Sequence, residues 1–178
     1  MPADTRHIIL NTAVRHGSSQ IFDRLFKLYP KTINSEMSSD IASALTCTVE
    51  KSNIKLLLEN LKNSEFVRLQ DVDKFLVQLL FNTKSRNQAW KWVKNNWQWI
   101  EDNFSSDKSY DNYPRYAAGA FATTESLADY KKFFLPLKKE PALTRNIELG
   151  LAEIENRVAW KLRDEAELVD WLINQRSL

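Results

Sequence analysis

The chain has 178 residues, enough for one domain or one continuous array of packed helices. Its 43% hydrophobic and 27% charged residues are ordinary for a folded protein, while three glycines and five prolines are too few for the tight turns of an all-β fold. Lys plus Arg number 25 against 23 Asp plus Glu, so no charge excess directs the chain to nucleic acid or an anionic membrane.

The N-terminus, MPADTRHIIL, is neither basic nor followed by a signal-type apolar region, and it enters a helical pattern almost at once, as expected of a segment of a longer chain. Asp4 is the expected N-cap of a first helix carrying Ile8, Ile9, Ala13 and Val14 and stopped by Gly17. Ser18 or Ser19 opens a second with Phe22, Leu25, Phe26 and Tyr29 on one face, ended by Pro30. A third carries Ile33, Met37, Ile41, Ala44, Leu45 and Thr48. Ser52 or Asn53 introduces a fourth with Ile54, Leu57, Leu58 and Leu61, and Asn63-Ser64 breaks the pattern.

Residues Val67 to Asn82 and Gln88 to Phe104 form the apolar centre of the sequence. Val72, Phe75, Leu76, Leu79 and Leu80 follow the i, i+3, i+4, i+7, i+8 spacing of one helix face. Trp90, Val93, Trp97, Ile100 and Phe104 form another such face, with Trp92 and Trp99 on a second stripe, so this helix needs cover from two sides. Asn95-Asn96 is its weak point, because Asn competes for backbone hydrogen bonds and bends or divides a helix. Phe104 to Asn112 is the longest loop-like stretch, and Tyr113 to Phe121 resumes a short helix. Thr124 caps the next, with Leu127, Tyr130, Phe133 and Phe134, ended near Pro136. Pro141 opens a long stripe of Leu143, Ile147, Leu151, Ile154, Val158 and Leu162, followed by a short helix from Glu165 to Asn174 holding Leu168, Trp171 and Leu172.

The expectation is an all-α protein of about ten antiparallel helices within one domain, 1–178. Its helix-pair spacing of about 30 to 40 residues fits degenerate HEAT- or armadillo-like units of an α-solenoid, although no exact repeat is present.

No catalytic set emerges. His7 and His16 lie nine residues apart without H-E-x-x-H, and no G-x-S-x-G, P-loop, G-x-G-x-x-G or cysteine cluster occurs. His16 suits a helix C-terminus, where a cation is favoured. Cys47 cannot form an internal disulfide; it reads as a small buried hydrophobe, and a lone thiol fits a reducing, cytoplasmic compartment. No apolar run reaches the roughly 18 residues needed to span a membrane. Lysines between tryptophans, as in Trp90-Lys91-Trp92, suggest base stacking, but those tryptophans keep a core period, so no nucleic-acid partner is expected. Lys131, Lys132, Lys138 and Lys139 read as a solvated face near a helix end. Arg68-Leu69-Gln70-Asp71 is polar where a helix begins, with Asp71 near the positive helix end and Arg68 as its surface partner.

VRLQD, an apolar helix, and then AWKWVKNNWQWIEDNF resemble the C-terminal helical domain of the aminopeptidase N-type zinc aminopeptidases, the group of the puromycin-sensitive and endoplasmic-reticulum enzymes. The similarity continues through Ala120-Phe121-Ala122-Thr123, Leu127 to Phe134, and Ile154-Glu155-Asn156-Arg157-Val158-Ala159-Trp160, with Trp171-Leu172 beyond. The resemblance implies an α-solenoid that curves over a catalytic domain and closes a chamber for peptide substrates. It also implies that the zinc and catalytic residues lie outside these 178 residues, which correspond to the later part of the C-terminal domain. The partners implied are that catalytic domain and peptides, with Arg68, Gln70 and Asp71 facing the chamber; Arg68 would pair with a substrate carboxylate. A free-standing HEAT-like interaction scaffold is the alternative.

Overall fold

A computed structural model describes residues 3–106, 110–119 and 121–175. Ten α-helices and three short 3-10 turns make up the described structure, with no strand among those residues, so the chain is all-α. It divides into two compact units, Met1–Trp97 and Gln98–Leu178.

The first unit holds α1 (Ala3–His16), α2 (Ser19–Leu28), α3 (Ser35–Thr46), α4 (Lys51–Asn60), α5 (Leu69–Phe81) and α6 (Arg86–Asn95). Helix α3 packs against α1 and α5, and α6 packs against α5 and α4. All five residues of the α5 stripe, Val72, Phe75, Leu76, Leu79 and Leu80, are buried at 1% exposure or less, with Phe22, Ile41, Leu45, Ile54 and Leu57 completing much of the core. A cluster of rings joins α2 and the turn after it to α5 and the segment before it: Phe66 stacks on Phe26 at 4.4 Å, and Tyr29 meets the edge of Phe75 at 5.2 Å.

Several local expectations shift here. Asp4 lies inside the first turn of α1, and Ile8 and Ile9 are exposed, leaving Val14 as the buried residue of that helix. Gly17 ends α1 by close approach, without a positive φ: its N–H donates to the Ala13 carbonyl at 2.8 Å, and an added Cβ would collide with that oxygen and crowd Ile21 Cδ1 at 2.6 Å. Helix α3 starts two residues after Ile33, because the Asn34 side chain accepts from Met37 N at 2.8 Å and fixes the first turn. Ile33 is therefore off the stripe and 99% exposed. Thr48 is past the helix end yet buried, its hydroxyl accepting from Asn53 Nδ2 and Glu50 N. The N-cap of α4 is Glu50, ahead of the expected Ser52 or Asn53.

The tryptophan-rich helix is divided at Asn96, as the Asn pair suggested. Asn96 leaves helical geometry (φ −121°, ψ 20°), and its side chain donates to the Trp92 carbonyl at 2.7 Å, occupying an acceptor at the end of α6. Helix α7 (Trp97–Phe104) follows. Trp90, Val93, Trp97, Ile100 and Phe104 are all buried, while the second stripe, Trp92 and Trp99, is half-buried. Lys62 lies over the Trp92 ring at 5.9 Å.

In the second unit, Ser105 and Ser106 form a turn after α7, and Tyr110–Asn112 form a 3-10 turn; 107–109 of the expected loop lie outside the described residues, as does Ala120 of the Ala120–Thr123 motif. Helices α8 (Tyr113–Ala118) and α9 (Thr124–Phe134) then pack against α10 (Pro141–Gln175). The cap of α9 is Thr123, one residue before the expected Thr124, in a reciprocal capping box with Ser126. The buried face of α10 is Leu143, Ile147, Gly150, Ile154 and Val158, and Leu162 is exposed. A side chain at Gly150 would collide with the Tyr130 hydroxyl, which donates to the Pro114 carbonyl at 3.1 Å. Arg157 Nη1 donates to the carbonyls of Ala118 and Phe121 at 2.6 and 3.0 Å, tying α10 to the end of α8. The expected separate helix from Glu165 does not exist: α10 runs unbroken for 35 residues, because Arg163-Asp164-Glu165 contains no helix breaker and Lys161–Glu165 is an i, i+4 pair at 3.1 Å.

Candidate functional site

Arg68 is the residue before α5, in extended backbone geometry, and Asp71 lies in the first turn, where a carboxylate offsets the positive helix end. Arg68 Nε donates to Asp71 Oδ2 at 2.8 Å, so the pair forms within one turn of one helix. Arg68 remains 65% exposed and Asp71 28% exposed in their side chains, and Gln70 is exposed beside them. The bond that crosses from α5 to α3 here is made by Lys74, whose ammonium donates to Ser39 Oγ.

Two adjoining spaces open on this turn. A recess of about 40 Å³ is lined by Tyr29, three serines of α3 (Ser35, Ser38, Ser39), Arg68, Asp71, Lys74 and Phe75. A larger cleft of about 260 Å³ shares Tyr29, Ser35, Ser38 and Arg68 and adds Pro30, Thr32, Ile33, Ser64, Glu65 and Phe66. Burial pushes the Tyr29 phenol up from its ordinary value, the Asp71 carboxylate adds to this, and a hydrogen bond with Ser38 and the Arg68 charge act the other way. The phenol is thus a neutral hydroxyl at neutral pH. Together the spaces offer two cations, Arg68 with its inner nitrogen engaged and Lys74, the carboxylates of Asp71 and Glu65, hydroxyls, and an apolar edge at Pro30 and Ile33. That chemistry holds and orients a ligand; it contains no nucleophile–base pair.

Of the three residues singled out from the sequence, Arg68 and Asp71 meet and line the recess, while Gln70 lines neither space. Tyr29, Ser38, Ser39, Lys74 and Ile33 were missed. Ser35, Ser38 and Ser39 sit at i, i+3, i+4 and share one face of α3, a signal legible in SEMSSD. Tyr29 gave no such signal, since it keeps the apolar period of α2.

A third cleft, about 410 Å³, is lined by Arg15, Ser43, Thr46, Cys47, Gln78, Phe81, Asn82 and Thr83. Cys47 is half-buried there, less enclosed than expected, because it is the C-cap of α3 and lines this open cleft. Burial raises its thiol and Arg15 opposes the shift, which keeps it protonated and poorly nucleophilic at neutral pH. Among the described residues no three His, Cys, Asp or Glu side chains gather into a metal-ligating group. No described helix is long and apolar enough to cross a membrane.

Residues 1–156 match the family described as the ERAP1-like C-terminal domain. The chain is 34% identical over 160 residues to aminopeptidase N of Lactococcus lactis subsp. lactis, covering 89% of this chain and 19% of that protein. It is 30% identical over 157 residues to aminopeptidase N of Lactobacillus helveticus, covering 88% and 19%. Endoplasmic reticulum aminopeptidase 1 of Rattus norvegicus is 24% identical over 166 residues, covering 93% and 18%. The chain thus spans about a fifth of the length of these relatives. With the family matched over most of its length, this chain belongs to the ERAP1-like C-terminal domain family and corresponds to part of the C-terminal domain of aminopeptidase N-type enzymes.

Proposed function

We propose that this chain is the non-catalytic part of a cytoplasmic zinc aminopeptidase, an α-solenoid segment that covers the active site and lines the chamber for peptide substrates. The observation that carries this reading is the conjunction of family and site: a domain of aminopeptidases presents an exposed Arg68 beside a cleft built of hydroxyls and an apolar edge. Zinc and the catalytic groups belong to the parent's catalytic domain, which is also the partner of this segment. Arg68 binds a substrate carboxylate, Asp71 holds the guanidinium by its inner nitrogen, and exposed Gln70 bonds the peptide backbone. The lone Cys47 supports a reducing compartment.

In this reading the contacts lie away from the scissile bond, so they act on binding of the long substrate. Arg68→Ala in the full-length parent should therefore raise KM for a ten-residue peptide while leaving a one-residue reporter amide unchanged. Equal losses on both substrates with a lower melting temperature would make the turn purely structural.

A further inference from the structure

Helix α10 carries an apolar seam that outlasts its cover. Ile147, Ile154 and Leu168 stand on one heptad row, and Leu151, Val158 and Leu172 stand on the neighbouring row. Among the described residues, burial along the helix ends at Val158. From there to Gln175 the helix runs about 26 Å further, at about 1.5 Å per residue. Along this tail Leu162, Leu168, Val169, Trp171 and Leu172 are 43–78% exposed. Lys161 and Glu165 take the seam places between Val158 and Leu168, and they pair with each other at 3.1 Å. By the same spacing Arg163, Glu167 and Asp170 fall on the far side of the helix, clear of a partner on the seam. The match to the ERAP1-like C-terminal domain ends at residue 156, before all five of the exposed apolar residues.

We infer that the tail of α10 docks on the tail of a second copy of this chain, with the helices antiparallel and the seams in contact. Such a face is its own complement about a twofold axis. A parallel pairing would set Lys161 against Lys161 and Glu165 against Glu165, and the antiparallel one separates both pairs. The five apolar side chains offer on the order of 100 Å² each, so two copies bury about 1,000 Å², the least area of a specific interface. Association through that area is weak, with a midpoint of roughly tens of micromolar, and a chain diluted to about 1 μM is single.

The test is sedimentation of the 178-residue chain between about 1 and about 300 μM, with a reductant present so that Cys47 cannot link copies. The weight-average mass should rise from one copy towards two across that range. Leu168→Glu and Leu172→Glu change exposed positions, so each should keep its helicity by circular dichroism and weaken association at least about tenfold. Asp170→Asn, on the far side, should leave the midpoint within about twofold of the wild type. A chain that stays single at the highest concentration overturns the inference and leaves the face to another partner, such as the rest of the parent. So does a glutamate variant that associates as the wild type does, or an Asp170→Asn effect as large as that of Leu172→Glu. None of these variants alters Arg68 or its cleft, so the peptide-chamber reading stands or falls separately.

Discussion

Helix α5 and the last third of α10 carry equally clear apolar patterns and meet opposite fates. In α5 every stripe residue is at 1% exposure or less. In α10 the pattern is buried only as far as Val158, and Leu168, Val169, Trp171, Leu172 and Ile173 remain 43–58% exposed. Among the described residues the elements packed most extensively on α10 come from Tyr110–Lys139, and no described residue of α10 beyond Val158 is buried. Helical period thus fixes which residues share a face, while burial depends on a partner that the period does not encode.

The largest effect should come from the covered side of the comparison. Phe75→Ala and Trp97→Ala each remove a buried large aromatic and should cost about 3–5 kcal/mol in denaturant unfolding. An unchanged midpoint and slope for Trp97→Ala would place that ring at the surface. Gly150→Ala tests the covered part of α10. Its methyl group meets the Tyr130 hydroxyl and lies 3.0 Å from Ala118 Cβ, and Tyr130 cannot turn away without leaving the Pro114 carbonyl. A loss of about 1–3 kcal/mol is expected, the range for overpacking; a neutral result would mean that α10 shifts freely along α8.

Thr123→Ala removes one half of the capping box of α9 and should cost about 1 kcal/mol, with the loss smaller in Thr123→Asn, which caps as well. The smallest effect belongs to the uncovered side. Trp171→Ser should change stability by no more than about 0.5 kcal/mol in this chain, since 57% of the residue is already in water. A cost as large as that of Phe75→Ala would show that α10 is covered to its end and would dissolve the contrast.

The same distinction explains what the sequence made legible. The α5 stripe, the tryptophan face and the division at Asn96 could be read because each depends on local spacing or on one side chain bonding its own backbone. The continuity of α10 could be missed because a charged run without apolar residues resembles a linker, although helix propensity favours it. Ile33 was misplaced for a related reason: the Asn34 cap outweighs the period and sets the helix start two residues later. At the site, Arg68 and Asp71 could be found from a polar turn before an apolar helix. Tyr29 and Lys74 could not, since they reach the recess only once α2, α3 and α5 are packed together.

The most direct test of the chamber reading is a photo-crosslink from the turn itself. Gln70 is exposed next to Arg68, so replacing it with a benzophenone-bearing phenylalanine in the full-length parent places a trap beside the cleft without removing a buried group. Illumination with a biotinylated decapeptide substrate should give an adduct at position 70 that excess unlabelled peptide suppresses. If the parent hydrolyses that peptide normally and no competed adduct forms at position 70, the turn does not face the substrate and the account is wrong.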